Sequence, residues 1–331
     1  MQGFRYLSQR DVIALGGTLA QAALDDVFDV VTLMRQQQAQ MPAETHVSLA
    51  GPRGKAYALP ACIGGRFNAA GVKWTAHRPD SLDSLPQAMA MTLINRADTG
   101  LPLGLVESGI LTATRTAAVS ALALRHAAPR PIQRVLLLGT GVQATAHLDM
   151  LRQLFPNIKQ VSWWSRSTSA FITDSKNLPW PLVRTTDLPH ACAQDFDAVI
   201  TCTSAAEPLV GIEAIRPGRL VIQVGYHEVT FAAIALSTKV VVDLWGDFCE
   251  TSAKSLFQMY RAGHFSPERV NADLSNLLLD GWQPTPDDSV FFSSFGLNVF
   301  DIALAARMLV CAEQQGIGTL LPLFPESSYL A

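Results

Sequence analysis

The chain has 331 residues, 49% of them hydrophobic and 16% charged, with a formal net charge of −3; that length suits two domains. The balance of 25 Lys+Arg against 28 Asp+Glu, without a basic run, argues against nucleic acid as a partner. No signal peptide or apolar run of transmembrane length stands out. The five cysteines (Cys62, Cys192, Cys202, Cys249, Cys311) are scattered without a C-x-x-C pair, so the expectation is a cytoplasmic protein with reduced thiols, no membrane partner and no metal site.

Ser8 opens an S-x-x-D pattern with Asp11, which predicts a helix start, and Thr18 is the expected cap of a longer helix to about residue 37. In that helix Leu19, Ala22, Val27, Val30, Val31 and Met34 recur at helical spacing. Short β-like runs follow at 46–50, 55–63, 71–77, 88–95 and 103–108, parted by Gly, Pro, Asp and Asn. They predict a strand-rich module, and no nucleotide motif lies in it. From about 112 a helix, TATRTAAVSALALRHAA, runs until Pro129 and Pro131 stop it.

Alternation of strand and helix then begins. The strand RVLLL precedes a glycine-rich turn and the helix QATAHLDMLRQLF. Further strands are expected at QVSWW, PLVRTT, DAVITCTS, RLVIQVG and KVVVDL, whose continuous apolar character suits parallel strands covered on both faces. Helices resume at SAKSLFQMYRAG and NVFDIALAARMLVCAEQQ, and the last is expected to return to the first module. The fold class predicted is α/β: a Rossmann-type doubly wound parallel sheet plus a strand-rich α+β domain.

The turn reads Gly139-Thr140-Gly141-Val142-Gln143-Ala144, a G-x-G-x-x-A dinucleotide fingerprint. Gly139 permits the tight turn, Gly141 a close approach of backbone to pyrophosphate, and Ala144 close packing of helix on sheet. NAD sites place an Asp or Glu roughly 20 residues on, at the end of the second strand. Here Ser165-Arg166-Ser167-Thr168 follows instead, a guanidinium and hydroxyls suited to a 2′-phosphate. NADP(H) is therefore favoured, with NAD(H) possible if Arg166 is only a solvated turn residue. Thr201, Thr203 and Ser204, at the end of another strand, are placed to reach a ribose or to cap a turn.

Several segments converge on one resemblance. GVKW, TGLPLGLVESGILTATRTAAVSALA, GTGVQATAHL, DAVITCTSAAEPLV and FFSSFGLNVFDIALA resemble the ornithine cyclodeaminase/mu-crystallin family. The resemblance implies a dimerisation and substrate domain over 1–117 and 299–331 and a Rossmann domain over 118–298, in a homodimer; the low charged fraction is in keeping with a covered surface. It implies NAD(P)-dependent chemistry at a carbon–nitrogen bond beside a carboxylate, on a small amino or imino acid. VVVDLW (240–245) and AGHFSPERVNADLSNLL (262–278) look most like the branch of siderophore pathways that splits N-(2-amino-2-carboxyethyl)-glutamate into 2,3-diaminopropionate and 2-oxoglutarate. The alternatives are an NADPH-dependent imine or ketimine reductase and, in another class, a mu-crystallin-like NADPH-binding protein with little turnover.

Carried over by motif, Lys73 in G-V-K-W and Arg115 in R-T-A-A-V-S are the carboxylate-binding and proton-handling residues. Thr116, Val224, Gly225, Ser294 and Gly296 complete the implied cofactor set. Two departures matter. The cyclodeaminases carry a catalytic Asp in V-G-x-D, where this chain reads Val224-Gly225-Tyr226-His227, with Glu228 one residue off. They also carry an Arg near the start of the first sheet, where His46 stands here. Both argue against ornithine cyclodeamination and leave His227 as a candidate proton donor or a satisfied loop histidine.

Overall fold

The computed structural model describes residues 3–50, 54–78, 86–167 and 178–323. The chain divides into two compact units, one of Met1–Arg115 with Leu297–Ala331 and the other of Thr116–Gly296.

The first unit is built on a mixed sheet. Its order is Thr319–Pro322, Gly3–Leu7, Pro102–Glu107, Ala88–Arg96, Ala69–His77, Lys55–Ile63 and Ala39–Gln40, with Thr45–Ser48 also paired to Lys55–Ile63. All five expected strands form here. Gly3–Leu7 and the edge strand Thr319–Pro322 carry no clear alternation; they become strands because they pair antiparallel with each other and Gly3–Leu7 pairs, parallel, with Pro102–Glu107. Side chains alternate between the two faces. Lys73 stands mid-strand, in register with Leu59 on one side and Thr92 on the other. The helix Asn298–Gln315 lies across the four central strands and along the helix Ala20–Arg35. The helix start expected at Ser8 forms, and Ser8 and Asp11 make a capping box there. Thr18 is not the cap of the next helix: the chain turns at Gly16 (φ 78°), which leaves Thr18 ahead of the helix and Leu19 at the N-cap without a side-chain bond.

The second unit holds an eight-stranded sheet in the order Leu182–Thr185, Gln160–Trp164, Arg134–Leu138, Ala198–Thr201, Leu220–Gln223, Val290–Ser293, Lys239–Val242 and Val270–Ala272. Every pairing is parallel. The first strand in sequence, Arg134–Leu138, is central, and the order reverses between it and Ala198–Thr201; that crevice is where open α/β sheets take ligands. Val290–Ser293 and Val270–Ala272 were not expected from the sequence, being short and lodged between turns. The inner strands are buried on both faces. Among the described residues no helix is long and apolar enough to cross a membrane.

Candidate active site

In the first unit Lys73 and Arg115 meet on a residue that motif reasoning passed over. Lys73 Nζ donates to Asp301 Oδ2 at 2.7 Å and lies 3.5 Å from Thr112 Oγ1. Arg115 Nε donates to Asp301 Oδ1 at 3.2 Å, and Thr112 Oγ1 donates to the same oxygen at 3.2 Å. Lys73, Arg115 and Asp301 are all buried, at 2%, 7% and 1% exposure, so two cations share one carboxylate away from water. Burial pulls Lys73 down to about 8, and the Arg115 charge adds to the drop against the pull of Asp301. Asp301, itself fully buried, is held below the usual carboxylate range by the two cations. Among the described residues no hydrogen bond uses the two Nη nitrogens of Arg115. They form an unspent fork beside a lysine able to exchange a proton near neutrality, which is what binding a carboxylate and moving a proton require.

The signal for Asp301 was present: a lone acid in the apolar run VFDIALAA, which cannot be buried without a cation. His46 is exposed on its edge strand, opposite Tyr57 and on the face that carries Thr75 and, two residues away, Lys73. Tyr57 lies between His46 at 5.5 Å and His77 at 5.7 Å, ring centre to ring centre. Burial and the Lys73 charge lower His77.

In the second unit the fingerprint turn is built as its residue types require. Gly139 has φ +105°, and a Cβ there would strike the Cys202 carbonyl. Its amide donates to the Trp164 carbonyl at 3.0 Å, and Trp163 Nε1 donates to its carbonyl at 2.5 Å, so the tryptophans of QVSWW anchor the turn. A Cβ on Gly141 would meet nothing within 4 Å. The helix Val142–Leu154 starts there without a side-chain cap, Val142 is 65% exposed, and among the described residues Gln143 Oε1 has no hydrogen-bond partner. Open space before bare helix N–H groups fits a pyrophosphate. Thr140 is half-buried next to them. Ser165 is buried at the end of the second strand, Arg166 and Ser167 are exposed, and Thr168 lies outside the described residues.

Other expected cofactor residues are committed to the protein. Thr201 is fully buried and donates to Glu228 Oε2 at 2.5 Å; Thr203 donates through Oγ1 at 2.7 Å and through its amide at 2.5 Å to Glu228 Oε1. Gly225 N donates to Glu228 Oε2 at 2.6 Å. Glu228, one residue past the expected catalytic place, thus ties two strand-end loops together. Ser204 is exposed. Lys254 Nζ donates to the carbonyls of Val224 and, at 2.9 Å, Gly225. Ser294 and Thr116 are buried, and Gly296 N donates to Asp243 Oδ2 at 2.7 Å. His227 is half-buried, with Nδ1 3.2 Å from Ser255 Oγ and its ring edge-on to Phe231 at 6.1 Å.

The sequence model of the ornithine cyclodeaminase/mu-crystallin family matches residues 16–313, and the chain belongs to that family. It is 25% identical to the N-((2S)-2-amino-2-carboxyethyl)-L-glutamate dehydrogenase of Staphylococcus aureus, over 96% of this chain and 98% of that protein. The Δ1-pyrroline-2-carboxylate reductase of Thermococcus litoralis, solved with NADH and L-proline, has the same fold: TM-score 0.87 and 23% identity, over 96% of this chain and 99% of that one. So does an archaeal alanine dehydrogenase dimer with bound NAD, at TM-score 0.83 and 22% identity, over 97% of this chain and 100% of that one.

Proposed function

We propose that this protein is an NAD(P)-dependent oxidoreductase that interconverts an amine and an imine at the carbon next to a carboxylate. The observation that carries the proposal is the buried Lys73–Asp301–Arg115 group with its unspent guanidinium fork. Arg115 would hold the substrate carboxylate and Lys73 would assist it. Lys73 Nζ, poised at about 8, would give or take the proton at the substrate nitrogen or activate the water that adds to an imine. Asp301 would fix both cations. The turn Gly139–Gly141 and the start of the helix Val142–Leu154 would hold the cofactor's pyrophosphate, with Gln143 beside it. The cofactor, when bound, supplies the redox step by taking or giving a hydride.

The finer reading is an opine-type dehydrogenase in siderophore precursor synthesis: cytoplasmic, a homodimer through its first unit, and using NADP(H) in preference to NAD(H). The Staphylococcus aureus relative supports the substrate class, and the exposed Arg166 between two serines supports NADP(H). That same turn favours an imine reductase as second reading, because NADP suits reduction; the Thermococcus litoralis reductase supports it. A ligand-holding protein with little turnover is the reading of another class. His227 at the cyclodeaminase aspartate's place weighs against action on ornithine.

The test is an assay of N-(2-amino-2-carboxyethyl)-glutamate oxidation and of cyclic imine reduction, with both cofactors and with ornithine as control. Arg115→Ala is expected to lower kcat/KM at least about a hundredfold, the factor for about 3 kcal/mol of lost charged hydrogen bonds. An unchanged kcat/KM would remove the proposal, and NADPH binding without turnover on either substrate would select the binding protein. Arg166→Ala is expected to weaken NADPH by about 1.5–3 kcal/mol and to leave NADH alone.

A further inference from the structure

We infer that Ser255, itself fixed by Gln223, is a positioning residue that holds His227 as its Nε2–H tautomer, so that the ring presents a hydrogen-bond donor and selects a substrate carrying an acceptor, such as a side-chain carboxylate, over one carrying an ammonium. The choice of substrate rests on the function proposed above; the tautomer does not.

Gln223 is fully buried at the end of its strand. Its Nε2 lies 2.6 Å from the Tyr226 carbonyl, which can only accept, so the amide orientation is settled. The second hydrogen on Nε2 goes to Ser255 Oγ at 2.9 Å. Ser255 is also fully buried. Its oxygen has therefore accepted one bond, and its own hydrogen needs an acceptor. Among the described residues the group within reach is His227 Nδ1, at 3.2 Å.

If Nδ1 carried the proton instead, Ser255 Oγ would accept two bonds and its hydroxyl hydrogen would be buried without a partner. A buried polar group left unpaired costs about 1–3 kcal/mol, which is enough to decide between tautomers of similar energy. The neutral ring is thus held with Nδ1 accepting and Nε2–H outward. Among the described residues no hydrogen bond uses Nε2. Phe231 packs edge-on to the ring.

The consequence is chemical. An aspartate at this place can only accept, and suits an ammonium. A histidine locked with Nε2–H outward donates, and suits a carboxylate or carbonyl oxygen. Lys254, next to Ser255 in the chain, spends its charge on the carbonyls of Val224 and Gly225 and lies 5.5 Å from the Tyr226 ring centre.

The experiment uses the full chain labelled with 15N-histidine, with the His227 ring signals identified by their loss in His227→Gln. Long-range proton–nitrogen correlations on the neutral ring are expected to show Nδ1 bare and Nε2 protonated. Ser255→Ala should shift the population toward the other tautomer, and Ser255→Thr should restore the original pattern. Either a protonated Nδ1 in the unaltered chain or an unchanged pattern in Ser255→Ala overturns the tautomer assignment, whatever the enzyme does. Binding of L-glutamate and L-ornithine to the protein saturated with NADP+ tests the second half. Glutamate is expected to bind about tenfold tighter, with the ratio falling toward one in Ser255→Ala. Equal affinities, no binding of glutamate, or a ratio indifferent to Ser255→Ala overturns the substrate assignment. Failure of the proposed redox function would appear separately, as no turnover by a chain whose ring signals still obey the pattern.

Discussion

Asp301 is the carboxylate on which two buried cations depend, through bonds of 2.7 and 3.2 Å. Asp301→Asn keeps the shape and removes the charge, leaving Lys73 and Arg115 buried and mutually repelling. Breaking a buried ion pair from one side costs about 3–5 kcal/mol, so a comparable loss is expected in urea unfolding. A midpoint unchanged within error would show that the carboxylate does not carry that charge. Lys73 also gives the protein a specific pH response. Its folded value is depressed to about 8 from 10.5, so above about 8 the folded chain has released a proton that the unfolded chain still holds. Stability from this group is therefore complete above 10.5 and is lost as pH falls through about 8. Lys73→Met lacks the titration. The stability of the unaltered protein relative to Lys73→Met is expected to rise as pH is taken from about 8 to 10.5, measured by denaturant unfolding at each pH. A flat difference would mean that Lys73 titrates alike in both states.

At the scale of elements, the two fingerprint glycines do different work. Gly139 is needed by the fold: its φ of +105° and the Cys202 carbonyl exclude a side chain. Gly141 is needed only by the ligand, because its Cβ direction is open. Gly139→Ala is expected to cost the fold about 1–3 kcal/mol or more, as strained positive-φ residues do. Gly141→Ala should melt like the unaltered chain and yet bind NAD(P)H weakly, since its methyl would occupy the pyrophosphate's approach. Thermal unfolding and cofactor titration of the two variants separate these roles; a Gly141→Ala protein with full NADPH affinity would disprove the assignment of that space. Hydrogen bonds from the protein itself brace the strand-end loops. Glu228 gathers Thr201, Thr203 and Gly225 into one buried knot, and Trp163 and Trp164 hold Gly139 from below.

For the whole molecule, the exposed face of the first unit's sheet supports association. Trp74, Met89 and Leu93 are 45%, 39% and 37% exposed, and Trp74 is in register with Met91 while Val72 is in register with Leu93. They alternate with Lys73 and Thr92, so they lie on the opposite face from the ion cluster. Such an apolar stretch is uncommon on a monomer. The proposed homodimer predicts that Trp74→Glu sediments as a monomer while the unaltered protein sediments as a dimer at micromolar concentration. A monomeric unaltered protein would remove the dimer.

Local pattern alone was enough for much of this protein, because the interactions that set it span few residues. A strand, a glycine turn and a helix close together in sequence define the fingerprint, and short β-like runs parted by Gly, Pro, Asp and Asn mark the strands that form as Lys55–Ile63, Ala69–His77 and Ala88–Arg96. Lys73 and Arg115 could be singled out only through the family resemblance, whose motifs G-V-K-W and R-T-A-A-V-S are contiguous. Their chemistry could not, because it depends on Asp301, 228 positions from Lys73 and delivered by a helix whose other residues read only as core. The same holds for His227. Its neighbours in sequence leave it an ordinary loop histidine; its tautomer follows from Ser255, 28 positions away, and from Gln223 beneath it. Charges and protons answer to whatever surrounds them within a few ångströms, and only the folded chain decides which distant residues those are.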